Sequence, residues 1–509
     1  MEFIAASNPA RPMSTHGAGW RAYVSNLDPV VSIAVLISIA LMLTTLGDAA
    51  MWFDETFTAS LIRLPWRDLI DAIVADNHLP LYFLIIKAWS LIAGDTAFSL
   101  RLPSAIFSVL LVPLTASIAW SIKDRSAARW AAVFTAISPY LLQHGQEARM
   151  YPLLGLLAAI NMLLLVRYLS AIGASAPARL GTAFVIVNAA LLATHYYALF
   201  FVVAELGILV LLAWRQWRSW ALAMAVSLLL ILGPLYAAWI LRTPYAGTSY
   251  DIGLVALPGL VWSLISGYTL LPSSEELHKE GLRAALPYAP FAFVGLVALL
   301  VIGVTAIRSL PLRYLLLLAI IVCAVVIGPF VASLILHIGV NPRYAIAAVP
   351  ALIVFIAMGA PRSLSDKPGL IATALLLFVM ATATAIHVRN PGHGREDIHT
   401  LGKWLDKNVP VEEQILITSH EMALLAAFHW PQRRFITYPA RKVVVNNSNV
   451  GNLLENIPLS RSHRTIYIVG RAWLSDPDDV LRSRLKRSPE RCPGMIARGV
   501  EVLCLQRGS

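Results

Sequence analysis

The chain has 509 residues, 58% of them hydrophobic and 14% charged, with a mean hydropathy of +0.69. That composition excludes a soluble protein of this length: runs of about 20 apolar residues recur, each able to cross a hydrocarbon core of roughly 30 Å as a helix. The net charge of +11 lies mostly in short loops between these runs, where it sets topology, so no nucleic-acid partner is expected.

Residues 1–28 are polar, with Pro9, Pro12, Gly17 and Gly19, and read as a cytoplasmic tail. The run from Val30 to Leu46 exceeds the roughly 7–15 residues of a signal-peptide core and reads as an uncleaved first span. The stretch from Met51 to Pro80 follows, far more polar than its surroundings, with Asp54, Glu55, Asp68, Asp71, Asp76 and His78. Acids at a membrane surface are solvated, paired or in use, and Trp52, Phe53 and Trp66 suit the bilayer boundary.

The basic loops Lys123–Arg129, Arg215–Arg218, Arg308–Arg313 and Arg362–Lys367 belong in the cytoplasm by the positive-inside rule. Leu81–Ala93 then becomes an in-plane helix on the outer face. The remaining runs make about eleven spans over 29–387, including Trp130–Leu142 and Trp220–Leu241. The outer face receives a first loop, 48–102, and a second, 242–285. Aromatic and basic residues in the second, among them Tyr245, Tyr268 and Lys279, suit a lipid-linked substrate with its phosphate at headgroup level.

From Val388 the chain changes character. Asp397–Lys407 has helical spacing. Gln414–Thr418, Arg434–Tyr438, Lys442–Val445, Thr465–Val469 and Val500–Leu505 read as short strands. Residues 388–509 suffice for a small α/β domain, outside the cytoplasm by topology. There Cys492 and Cys504 are either a disulfide or two thiols.

Several groups are candidates for chemistry at the outer face. Asp54 is positioned to act as a general base on an acceptor hydroxyl or amine, with Glu55 orienting it. Asp76 and His78 are substrate contacts, or ligands of a divalent metal. His144 to Tyr151 breaks an apolar run with His, Gln, Glu and Arg, which suits a cavity lining. There Glu147 and Tyr151 are substrate contacts and Arg149 a site for an anion. Arg343 and Arg101 are further anion candidates, always charged and fork-shaped, against the alternative of snorkelling. His195 is read as packing. Lys279 is a further substrate contact.

The sequences WFDE, NHLPLYF, RLPSAIFSVL, SPYLLQHGQEARMYPLL and NPRYAIAAVPAL, in this order, resemble the GT-C superfamily. They are similar to its branch of protein O-mannosyltransferases and bacterial lipid A aminoarabinose transferases, over roughly residues 29–360. The resemblance implies a polytopic α-helical membrane protein with a small extracytoplasmic α/β domain, in the bacterial inner membrane. It implies an inverting glycosyltransferase that moves a sugar from a polyprenyl-phosphate donor to a lipid, polysaccharide or protein acceptor. The family's catalytic acid falls on Asp54, and its Asp-x-His-Pro-Pro element on Asp76 to Pro80 with Leu79 replacing a proline. Aminoarabinose transferases have a lysine where Leu79 stands and Asp-Pro where Tyr151-Pro152 stands, so these departures point away from that sugar. The rival readings are a flippase for lipid-linked sugars and a non-catalytic subunit of an envelope complex.

Overall fold

The computed structural model describes residues 28–76, 78–170, 178–214, 222, 225–227, 229, 232, 256–273, 276–277, 280–336, 341–392, 395–440, 443–457, 464–470, 476, 478–487 and 491–506. Among them six helices are long and apolar enough to cross a membrane: Ala97–Ile122, Tyr151–Ser170, Gly281–Ser309, Leu312–Ala332, Pro342–Gly359 and Lys367–Arg389. Pro29–Thr44, Pro80–Ala93, Leu180–Thr194 and Ala198–Leu212 are shorter apolar helices. The chain is therefore a multi-pass membrane protein. The expected span over Trp130–Leu142 is not one helix. Arg125–Ala136 ends at Ile137, and Pro139–Gly145 starts afresh, because Ser138 caps the second helix by accepting from Leu141 N at 3.3 Å. Most of the expected span Trp220–Leu241 lies outside the described residues.

The helices that position the site are α1 (Pro29–Thr44), α2 (Phe53–Arg63), α3 (Trp66–Ala75), α4 (Pro80–Ala93), α5 (Ala97–Ile122), α6 (Arg125–Ala136), α7 (Pro139–Gly145) and α8 (Tyr151–Ser170). They are followed by α9 (Ala178–Thr194), α10 (Ala198–Leu212), α11 (Ala256–Ser266), α12 (Ala289–Ser309), α13 (Leu312–Leu336), α14 (Val349–Gly359) and α15 (Lys367–Arg389). A 3-10 turn, Pro342–Ala348, leads into α14. Helix α8 is apolar almost all round, as a helix enclosed by others must be, with Leu154, Ala159 and Leu165 fully buried.

Residues of the described basic loops gather at one end of this bundle. Lys123 Nζ donates to Ser309 Oγ at 2.7 Å and to Met358 O at 2.6 Å. Arg362 pairs with Asp124 at 2.8 Å, and Arg125 and Arg129 with Asp28 at 2.5 and 2.9 Å. The opposite ends of the same helices carry Arg101, Tyr151, Arg343 and the connector after α15.

Beyond that connector lies a five-stranded sheet of order β2-β1-β3-β5-β4. It comprises β1 (Gln414–Ile417), β2 (Arg434–Thr437), β3 (Arg464–Gly470), β4 (Arg491–Ala497) and β5 (Val500–Gln506), with α16 (Ile398–Asn408), α17 (His420–His429), α18 (Val450–Glu455) and α19 (Val480–Lys486) packed on it. Strands β2, β1 and β3 are parallel; β5 and β4 continue antiparallel. Two sequence expectations differ from this sheet. Residues 443–445 form no strand, and β4 was not anticipated: it holds Cys492, Pro493 and Gly494 and carries an irregularity between Cys492 and Met495, which interrupts the period-2 pattern. Cys504 is disulfide-bonded, and its register partner across the ladder is Cys492. The C-terminal part is docked on the first polar loop. His429 Nε2 donates to Met51 O at 2.8 Å, His399 Nε2 to Asp48 O at 3.2 Å, and the Arg63 guanidinium lies 4.9 Å from the Phe428 ring.

Candidate active site

Asp54 and Glu55 lie in the first turn of α2, where carboxylates favour the positive end of the helix dipole. They have opposite surroundings. Glu55 is fully buried and receives Arg101 Nε at 2.7 Å, Arg101 Nη2 at 2.8 Å and the Ala148 backbone N–H at 2.9 Å. The rest of the Arg101 fork donates to the carbonyls of Leu46, Ala49 and Ala50. This bidentate pair joins α2 to α5 and to the break before α8. It revises the expectation for Arg101: the guanidinium is 1% exposed and saturated by protein acceptors, so it is a structural clamp and not a free anion contact. Glu55 likewise holds the loop rather than touching Asp54's reactive end.

Asp54 is 14% exposed and forms an ion pair with Arg343, itself 17% exposed. Arg343 stands at the start of the turn before α14. Asn341 caps that turn by accepting from Arg343 N at 3.2 Å, and Tyr140 Oη donates to Pro342 O at 2.8 Å. The Arg343 guanidinium lies over three rings, Trp52 at 5.5 Å, Tyr151 at 5.3 Å and Tyr344 at 5.7 Å, contacts that favour a cation.

The segment between α7 and α8 supplies Glu147 and Arg149. It breaks from the helix at Gly145, where a Cβ would stand 2.6 Å from Met42 Sδ and 2.7 Å from Ser108 Oγ, so a side chain there would have to push both aside. Arg149 Nη1 donates to Asp54 O at 3.1 Å, and Nη2 meets His78 Nε2 at 3.1 Å. A guanidinium only donates, so His78 Nε2 is an acceptor and its proton sits on Nδ1, facing the Asp76 carboxylate at 3.0 Å. A divalent ion at His78 would displace a cation already there, Asp76 and His78 are only two ligands, and no group of three or more His, Cys, Asp or Glu suited to a metal occurs among the described residues.

Glu147 is buried, with His144 Nδ1 at 3.1 Å and an ion pair to Arg395. Burial opposes its charge, but Arg395, His144 and Arg343 outweigh it and hold the carboxyl down at about 2. His195 closes the group beside Tyr151 (5.9 Å), Tyr344 (4.9 Å) and Tyr197 (5.5 Å). Its Nδ1 accepts from Tyr197 N at 3.1 Å, which leaves Nε2 as the protonated nitrogen. Burial, with His78, Arg149 and Arg343 nearby, pushes its titration down to about 3, so it is a neutral donor.

Several buried polar atoms in this cluster have no partner: Trp52 Nε1, Arg149 Nε, Arg343 Nε, His144 Nε2 and Tyr268 Oη. Buried donors are normally satisfied. Three of these are N–H groups beside Asp54, and together with the Arg149 and Arg343 guanidiniums they suit an oxygen-rich anion. The structure thus brings together Asp54, Asp76, His78, Glu147, Arg149, Tyr151 and Arg343 from the sequence candidates. Lys279 lies outside the described residues. Sequence reasoning missed Arg395, which has no motif around it, and read His195 only as packing, although its place at a helix end in line with Tyr196 and Tyr197 was a usable signal.

No protein-family model matches the chain, and no curated protein matches it. Among solved structures, ArnT from Cupriavidus metallidurans bound to undecaprenyl phosphate has a TM-score of 0.52 and 12% identity, over 96% of this chain and 98% of that one. The archaeal oligosaccharyltransferase AglB from Archaeoglobus fulgidus, in complex with an inhibitory peptide and a dolichol-phosphate, has a TM-score of 0.52 and 14% identity, over 88% and 69%. At these identities the likeness concerns the fold: this chain shares with these structures a polytopic helical membrane part and carries a small C-terminal α/β part.

Proposed function

We propose that the chain is a membrane-embedded glycosyltransferase that moves a sugar from a polyprenyl phosphate to an envelope acceptor. The observation that carries this reading is a carboxylate, Asp54, flanked by the buried Arg149 and the half-buried Arg343, whose Nε donors have no acceptor. An anionic headgroup entering between Arg149 and Arg343 satisfies those donors. It also draws Arg343 away from Asp54, because one fork exchanges a single carboxylate for a phosphate. The Asp54 carboxylate then lies beside the reacting centre. It takes the proton from the acceptor's hydroxyl or amine as that atom attacks the anomeric carbon. The bond from that carbon to the phosphate oxygen breaks, its electron pair stays on the phosphate, and the configuration inverts. Phosphate as leaving group needs no added proton, so one base suffices. Both compared structures carry a polyprenyl-type phosphate by description, which agrees with this donor class.

Orientation follows from charge. The site lies at the helix ends opposite the cluster of Lys123, Arg125, Arg129 and Arg362. By the positive-inside rule those loops face the cytoplasm, and the site with the 388–509 domain faces the periplasm of a bacterial inner membrane. The acceptor is a lipid, polysaccharide or protein reached from that side.

The test is mass spectrometry of envelope glycolipids and glycoproteins from cells carrying the wild type, no protein, or Asp54→Asn. A sugar-sized mass absent equally from the last two supports the reading and names sugar and acceptor. A normal pattern with well-expressed Asp54→Asn refutes it and favours a flippase or a scaffolding subunit.

A further inference from the structure

We propose that Arg395 is a positioning residue that couples the docked C-terminal domain to the site; the inference rests on the transferase reading above. Arg395 lies in the connector between α15 and α16, outside every motif of the membrane part. Its guanidinium pairs with the fully buried Glu147 and lies 5.0 Å from the Trp52 ring, the ring that Arg343 approaches at 5.5 Å. Trp52 is the residue before α2, the helix that carries Asp54. A single side chain thus reaches both the segment that holds Arg149 and the ring beside Arg343.

The domain itself holds Arg395 in place. Arg498, in the turn between β4 and β5, donates through Nε to Arg395 O at 2.9 Å and through Nη1 to Asn390 Oδ1 at 2.9 Å, and Arg498 O accepts from Asp397 N at 2.9 Å. His399 and His429 fasten the same domain to Asp48 and Met51, just before Trp52. The path runs from the β-hairpin through the connector backbone to the Arg395 fork, and from there to Glu147 and Trp52. Glu147 has two charged or chargeable partners, Arg395 and His144. Without Arg395 the buried carboxylate loses its permanent cation, and such a group forces its surroundings to rearrange. With both charges removed, little remains to rearrange, so the double variant separates a charge-positioning role from simple packing.

The experiment uses the full-length protein in detergent, with undecaprenyl phosphate as the binding probe, and cells scored for the Asp54-dependent product. The variants are Arg395→Met, Arg395→Lys, Glu147→Gln, Arg395→Met with Glu147→Gln, and Arg498→Ala, with Asp54→Asn alongside. Each is checked for monodispersity. The expected result is a loss of product of more than about tenfold in Arg395→Met, recovery to within about threefold in the double variant, and an intermediate loss in Arg498→Ala. Wild-type output from Arg395→Met beside an inactive Asp54→Asn overturns the positioning role and leaves the transferase reading intact. So does a double variant that is as poor as, or poorer than, Arg395→Met. A wild-type protein with no affinity for undecaprenyl phosphate and no Asp54-dependent product overturns the transferase reading, and this inference with it. If Arg395→Met is not monodisperse, Arg395→Lys and Arg498→Ala decide, since both keep Arg395's position cationic: wild-type output from Arg498→Ala then excludes coupling through the domain.

Discussion

Asp54 and Glu55 are neighbours in one helical turn, each with an arginine partner from a distant part of the chain, yet they are built for different purposes. Glu55 and Arg101 are 0% and 1% exposed, and every arm of the Arg101 fork ends on a protein acceptor. Asp54 and Arg343 keep 14% and 17% of their surface, and Arg343 Nε has no acceptor. A sealed, saturated pair fixes backbone; an open, unsaturated pair can be exchanged for a ligand. Charge type is alike in the two, so the distinction lies in saturation and access.

Substitutions can break this comparison. The largest effect is expected at the open carboxylate: Asp54→Asn keeps the shape and removes the base, lowering turnover by about 10²–10⁴-fold with little change in the thermal midpoint. Glu55→Ala should do the reverse. It strands the Arg101 charge in the interior, at a cost of about 3–5 kcal/mol, so the folded yield collapses while the surviving folded fraction still turns over. Equal behaviour of the two variants in yield and turnover would erase the distinction. Next comes Arg343→Met, expected to weaken undecaprenyl phosphate binding by about tenfold or more, since charge-assisted donors to an anion are lost; titration of the purified protein reads it.

Acid sensitivity sharpens the picture at Glu147. Its folded value of about 2 lies below the ordinary 4.5, so the group adds stability at pH above about 4.5. That contribution shrinks as pH falls from there and is gone below about 2. Thermal midpoints measured between pH 6 and pH 3 (about the range most detergents tolerate) should therefore fall less steeply in Glu147→Gln than in the wild type. The smallest effect is expected at Glu205, fully buried in α10 beside the Asn161–Asn188 contact of 2.5 Å between α8 and α9. Glu205→Gln keeps the size and hydrogen-bonding capacity, and product formation should stay within about twofold. A flippase that moves its cargo past an intramembrane acid would lose function there, which separates that rival from the transferase.

Much of the architecture was legible because its signals are local. Apolar runs of about 20 residues announce helices, and polar residues inside apolar sequence announce the site. Asp54, Arg149 and Arg343 were picked out in this way. What was not legible is pairing at a distance. Nothing near Glu55 marks Arg101, 46 positions away, as its partner, and nothing in a Gly-rich connector marks Arg395 as the partner of Glu147. The broken helix at Ser138-Pro139 reads as one apolar run because a membrane interior accepts both halves. Strand β4 was hidden by its own Cys-Pro-Gly, which reads as a turn.

The most direct measurement is paired: affinity for undecaprenyl phosphate and single-turnover sugar transfer, on purified wild type and Asp54→Asn. The account predicts that Asp54→Asn binds the phosphate as well as the wild type or better, since Arg343 is released from its carboxylate, and forms no product. Product formed by Asp54→Asn at a rate near that of the wild type would contradict it.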